Sequence, residues 1–106
     1  MRDEIKIHQG DKNYNLNFTL QNYNGEAINL TNASLVLKTQ KKGSVALGVT
    51  GDMIVRTPLI GDCYYQVQEN DFEAGIYDAE IEITYTSGEK ITYGDIIIKV
   101  TGDLPK

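Results

Sequence analysis

His8 and Cys63 are the only histidine and the only cysteine of the chain, and they are the first candidates for chemistry. A histidine works as a general base when a nucleophile and an orienting carboxylate lie within reach, and no motif around His8 supplies either. It falls on the outward side of a short alternation with Ile5 and Ile7, and reads as an ordinary strand residue. One histidine and one cysteine are too few for a zinc site of the usual ligand types. Glu69, Asp71 and Glu73 alternate in the manner of calcium ligands, but the central glycine and closing glutamate of an EF-hand loop are not in register. The stripe Asp78, Glu80 and Glu82 sets carboxylates about 7 Å apart on one face of a strand with no cleft implied. It reads as a solvated sheet face balanced across the ladder by Lys38 and Lys99. The ten glycines fall singly at turns and form no phosphate-cradling loop. The residues assign no catalytic role, no cofactor and no metal.

Binding is the remaining chemistry. The chain has seven tyrosines and no tryptophan. Tyr14, Tyr65, Tyr77 and Tyr85 fall on the inward parity of their segments, which leaves Tyr23, Tyr64 and Tyr93 for the surface. Tyrosine suits protein interfaces, where it brings area and a hydroxyl, and it also stacks on sugars. Val36, Val55 and Ile97 are apolar residues on outward parities. The candidate interface residues are therefore Tyr23, Val36, Val55, Tyr64 and Ile97, and protein is the favoured ligand over carbohydrate.

The elements that must hold these residues are strands. Period-two alternation dominates and no window of helical length keeps an apolar stripe. Leu16, Phe18 and Leu20 alternate with Asn15, Asn17, Thr19 and Gln21; Leu35, Leu37 and Thr39 alternate with Val36, Lys38 and Gln40. Val45, Leu47 and Val49 suggest an edge strand, followed by a turn at Gly51-Asp52. Cys63, Tyr65 and Val67 form the inward side of the next strand. Tyr77, Ala79, Ile81, Ile83 and Tyr85 then point inward, with Asp78, Glu80, Glu82 and Thr84 outward. The last strand changes phase between Tyr93 and Ile96, which requires a bulge at Gly94-Asp95. Seven to eight strands at roughly ten-residue spacing predict an all-β, immunoglobulin-like antiparallel β-sandwich. The segment from Asp71 to Tyr77 carries the signature of a tyrosine corner. Asp71 opens an acidic turn, Gly75 takes a backbone angle open to few residues, and the Tyr77 hydroxyl bonds back to the turn.

Composition bounds the rest. A length of 106 residues predicts a single domain over 1–106, and 41% apolar with 24% charged residues is ordinary for a globular chain. Residues 1–53 carry six Lys/Arg against five Asp/Glu, and residues 54–106 carry four against ten. An acidic second half disfavours nucleic acid as a partner. No stretch approaches the roughly 20 apolar residues of a membrane span, and the N-terminus lacks the apolar core of a signal peptide. Synthesis in a cytoplasm fits this, as does a lone cysteine that forms no internal disulfide.

The order of motifs carries a resemblance. Ile5-Lys6-Ile7-His8-Gln9-Gly10-Asp11, then Leu16-Asn17-Phe18-Thr19-Leu20, then Asn24-Gly25-Glu26-Ala27-Ile28-Asn29-Leu30-Thr31 resemble the opening of the N-terminal domain of phage baseplate upper proteins. Asp71 to Tyr77, Ala79-Glu80-Ile81-Glu82 and Ile96-Ile97-Ile98-Lys99-Val100 are similar to its second half. The resemblance covers almost all of residues 4–104. It implies a non-enzymatic, immunoglobulin-like module of a virion tail baseplate in phages or prophages of Gram-positive bacteria. Such a module attaches a receptor-binding assembly to the baseplate core, with other phage tail proteins as partners. Helical, trimer-forming and receptor-binding parts normally follow, and would make a homo-oligomer of a full-length parent. A chain ending at Lys106 is then either a piece of a longer protein or a stand-alone prophage gene product. The alternative is a carbohydrate-binding or adhesion sandwich that contacts host wall polymers directly.

Overall fold

A computed structural model describes residues 3–8, 15–43, 47–68 and 71–102. Its strands are β1 (Asp3–His8), β2 (Asn15–Thr19), β3 (Ala33–Lys41), β4 (Leu47–Asp52), β5 (Ile54–Thr57), β6 (Asp62–Gln66), β7 (Gly75–Tyr85) and β8 (Lys90–Thr101). They form a sandwich of a five-stranded sheet, ordered β1-β8-β7-β3-β4, on a three-stranded sheet, ordered β2-β6-β5.

Alternation decides which face goes in. On β7, Tyr77, Ala79, Ile81 and Ile83 are buried while Asp78 and Glu80 are exposed. Leu16 and Phe18 of β2, Leu35 and Leu37 of β3, and Cys63 and Tyr65 of β6 meet them from their own alternations. Burying each large aliphatic side chain contributes on the order of 1.5–3 kcal/mol, so this shared layer is the main source of stability. Tyr14 and Val45 lie outside the described residues.

The phase change in β8 is a bulge where the sequence requires one. Ala79 pairs with Ile96 and Ile81 with Tyr93, so β8 holds one more residue than β7 between the two pairs. Asp95 takes the left-handed conformation (φ 64°). The extra residue lets Tyr93 pack against the core on one side of the bulge, and Ile96, Ile98 and Val100 on the other. β4 bulges against β3 as well, since Lys38 pairs with Thr50 and Gln40 with Leu47. There the Val49 N–H donates to the buried Thr39 hydroxyl at 2.7 Å, a side-chain bond at the break in register.

Three expectations need correction. β1 joins β8 in parallel, Ile5 beside Ile98 and Ile7 beside Val100, so the five-stranded sheet is not wholly antiparallel. No turn occurs at Gly51-Asp52. β4 runs to Asp52, and the Met53 N–H still donates to Leu35 O at 2.9 Å before the chain enters β5 in the other sheet. Buried Met53 is thus the crossing point between layers. Lys99 does not balance the acidic stripe; it pairs with Glu4 across β1 and β8 at 3.0 Å.

Beyond β5 a single 3₁₀ turn, Pro58–Ile60, leads to Gly61 in the left-handed region (φ 72°). A Cβ on Gly61 would lie 2.4 Å from the carbonyl oxygen of Leu20, a backbone atom that cannot step aside. Gly25, also at positive φ, has nothing within 4 Å of such a Cβ. Gly25→Ala should cost about 1 kcal/mol from conformation alone, and Gly61→Ala clearly more, because strain and collision add. Urea titrations of the two variants check the order.

Candidate docking surfaces

The acidic turn before β7 is held by two tyrosine hydroxyls. Tyr77 donates to the Glu73 carbonyl at 3.0 Å and accepts from the Glu73 N–H at 2.9 Å. Its ring is buried and meets Phe72 edge-on, with centroids 5.2 Å apart. Gly75 (φ 149°) carries the chain between them in a conformation that favours glycine. Asp71 serves a different tyrosine: its Oδ2 accepts from the Tyr65 hydroxyl and from the Gln68 N–H, both at 2.7 Å. Sequence reading placed Asp71 in the Tyr77 corner and did not foresee this partner, because Tyr65 reaches it from β6. Lys41 closes the turn on the outside, 3.3 Å from the Glu73 carboxylate. Asp71 and Glu73 are therefore committed to holding the loop, and Glu69 lies outside the described residues.

Burial and the bond to Asp71 push the Tyr65 hydroxyl above its ordinary value. Burial, with the nearby Asp62 carboxylate, pushes the Cys63 thiol up to about 12, so it stays protonated and weakly nucleophilic at neutral pH. His8 lies with Nδ1 3.0 Å from the Thr101 hydroxyl across β1 and β8. Among the described residues no three His, Cys, Asp or Glu side chains gather as a metal set, and no helix is long and apolar enough to cross a membrane.

The two outer faces differ in character. On the five-stranded sheet, Glu82 bridges Lys38 at 2.9 Å and Lys90 at 3.3 Å, Lys42 lies 4.0 Å from Asp78, and Lys99 pairs with Glu4. Bonds from Lys38 and then Lys90 hold the Glu82 carboxyl below its ordinary value, and Glu82 in turn raises Lys38. An open depression of about 390 Å³ beside the β8 bulge is walled by Lys38, Asp78, Glu80 and Asp95. On the three-stranded sheet, Arg56 makes a two-pronged contact with Asp62 (2.8 Å at both nitrogens), reaches Asn17 at 3.3 Å, and lies 5.3 Å from the Tyr64 ring centroid.

The five candidate interface residues do not come together. Tyr23 is fully exposed at the tip of the turn after β2. Tyr64 is half-buried on the outer face of the small sheet, with one face of its ring near Arg56. Val36 is half-buried on the large sheet, between Glu82 and Asp52 in register. Val55 pairs with Cys63 and packs against the core, because entering β5 through buried Met53 turns it inward. Ile97 points outward yet is only 7% exposed, since β8 is interior to its sheet and Glu4 and Asp78 flank it. Ile97 offers little free area, and Val55 is half-buried against the core.

Sequence reading missed the largest exposed apolar side chains, Leu59 (69%) and Ile60 (53%). Their signal was local: an apolar pair directly after Pro58, in a break between strands, with no alternation to draw it inside. They lie at the end formed by residues 20–32, 58–61 and 86–89. Those loops are tied by Leu30 N–H to Pro58 O, Leu20 N–H to Gly61 O, Thr86 N–H to Asn32 O, and the Tyr85 hydroxyl to Asn29 O. Tyr23 stands on the same loop set.

The family model described as the BppU N-terminal domain matches residues 1–104. No curated protein matches the chain.

Tyr77→Phe keeps the ring and strands the Glu73 N–H, and should cost about 1–2 kcal/mol, whereas exposed Tyr23→Phe should stay within about 0.5 kcal/mol; denaturant titration separates them. A second expectation concerns alkali. The unfolded chain releases the Cys63 proton near 9.0, and the fold holds it to about 12. The unfolded state therefore binds fewer protons in that window, so stability is full below pH 9.0 and falls as pH rises toward 12, with Tyr65 adding in the same direction. Cys63→Ala should be less stable at neutral pH but decline less steeply over that range in a pH series of urea titrations.

Proposed function

The chain belongs to the BppU N-terminal domain family, a structural domain of the phage baseplate, and from that membership we propose a non-enzymatic docking module that attaches a receptor-binding assembly to the baseplate core. The observation that supports docking is the apolar loop end. Tyr23, Leu59 and Ile60 are solvent-exposed on loops that backbone and tyrosine bonds hold in place. A rigid apolar surface loses little entropy on binding, and at protein interfaces a buried tyrosine is a frequent energetic anchor, with apolar neighbours excluding water around it.

β8 runs away from these loops, and Thr101 lies beside His8 at the far end of the sandwich. The charged face of the large sheet is less suited, because its lysines and carboxylates already satisfy one another and would have to be desolvated as pairs.

Purified baseplate core protein, immobilised, should retain the domain, and cell-wall glycan should let it pass. Leu59→Ser with Ile60→Ser should weaken retention about tenfold or more with an unchanged melting curve, since neither side chain is buried. Retention on glycan alone would instead establish the adhesion reading, with Tyr23 as its free stacking ring.

A further inference from the structure

Four strands lie at sheet edges, and three of them carry features that discourage another strand from adding. β1 alternates Glu4, Lys6 and His8 along its outer side. β4 is bulged and ends in Asp52. β5 is four residues long, has a shifted register, carries Arg56 and runs into Pro58. Charges, bulges, shortness and proline are the devices by which natural sheets guard their edges.

β2, though only five residues long, carries no charge, bulge or proline. Asn15-Leu16-Asn17-Phe18-Thr19 is uncharged, free of proline, and pairs with β6 over five residues without a shift. The Leu20 N–H just beyond it donates toward β6, to Gly61 O. In an antiparallel ladder these bonds alternate, so Leu16 and Phe18 also bond toward β6, and the N–H and C=O groups of Asn15, Asn17 and Thr19 point out from the free edge. Among the described residues no strand pairs with that edge.

We propose that β2 pairs antiparallel with β2 of a second copy of this chain, in register about Asn17. The strand is self-complementary in that register. Asn17 faces Asn17, and Asn15 faces Thr19 on each side of it, so every outward N–H and C=O of the three residues finds a partner. Leu16 then faces Phe18 twice on the core side. A two-fold axis perpendicular to the sheet keeps inner faces together and joins two three-stranded sheets into one. Two chains of net charge −5 repel each other, but no residue of β2 is charged, and the Arg56 guanidinium that reaches Asn17 at the centre of the seam is already paired with Asp62 of its own chain. A five-residue seam is small compared with stable dimer interfaces, so the association is weak in solution and strengthens when copies are held side by side.

Sedimentation equilibrium over a concentration series tests it. The wild type should show a monomer–dimer equilibrium, and Asn17→Ala, which keeps the backbone donor, should match it. Asn17→Pro removes an outward N–H and no β6 bond, a substitution that edge strands tolerate, and should weaken association about tenfold or more. Thr19→Pro guards against a folding defect peculiar to position 17: it too removes an outward N–H and no β6 bond, lies away from Arg56, and should weaken association to a similar degree. A wild type monomeric at every concentration would overturn the proposal. So would association indifferent to both variants, or capture of this edge only by a strand of a different protein.

Discussion

Tyrosine hydroxyls at the two ends of the sandwich hold together what burial alone would leave loose. The chain has no disulfide to bridge its sheets, and its core is an aliphatic layer whose packing is strong but undirected. Tyr65 and Tyr77 place their rings in that layer and their hydroxyls on the 68–73 turn; Tyr85 does the same at the other end, on Asn29. Each bond contributes only about 1 kcal/mol net, small beside the burial of the ring that carries it. Its effect is positional. An aromatic ring packed into or against the core cluster has little freedom, so a loop atom bonded to its hydroxyl inherits that rigidity.

The bulges are the second condition. Twelve residues of β8 could not keep one face inward against β7 without a reset, because a uniform alternation would turn either Tyr93 or Ile96 toward solvent. One extra residue with a left-handed Asp95 resolves the conflict, and aspartate tolerates that conformation better than most side chains. At the second bulge the Thr39 hydroxyl partners a ladder N–H inside the core, which makes this buried polar group a component of the sheet.

What was legible in the sequence was what a strand states about itself. The inward sets of β2, β3, β6 and β7, the β8 bulge and a sandwich of seven to eight strands all follow from period-two alternation and turn residues. What was not legible depends on neighbours that lie far away in sequence. Ile97 is buried because β8 has a strand on each side, and nothing near Ile97 states that. Val55 turns inward because Met53 carries the chain from one sheet to the other without a turn. Lys99 pairs with Glu4 because β1 enters in parallel, an arrangement that strand patterns alone do not encode. At the surface, exposed parity marked Tyr23 correctly as free, but alternation gave no purchase on Leu59 and Ile60, which sit in a 3₁₀ turn.

These facts bear on how such a module can bind. A sheet face laced with lysine–carboxylate pairs gives little attraction, since exposed pairs are screened by solvent and a partner must strip water from both charges. Attraction is left to the exposed Leu59-Ile60 turn, to Tyr23 on the same set of loops, and to the edge of β2 that pairs with no other strand among the described residues. Their chemistries differ. The first is side-chain burial and accepts any complementary apolar surface; the second is backbone pairing and accepts only an extended strand in register. They also occupy different parts of the molecule, a loop end and a sheet edge, so one sandwich can engage a core protein through the first while aligning with a neighbouring copy through the second. Two contacts of these kinds need that separation, because a single surface cannot serve both at once.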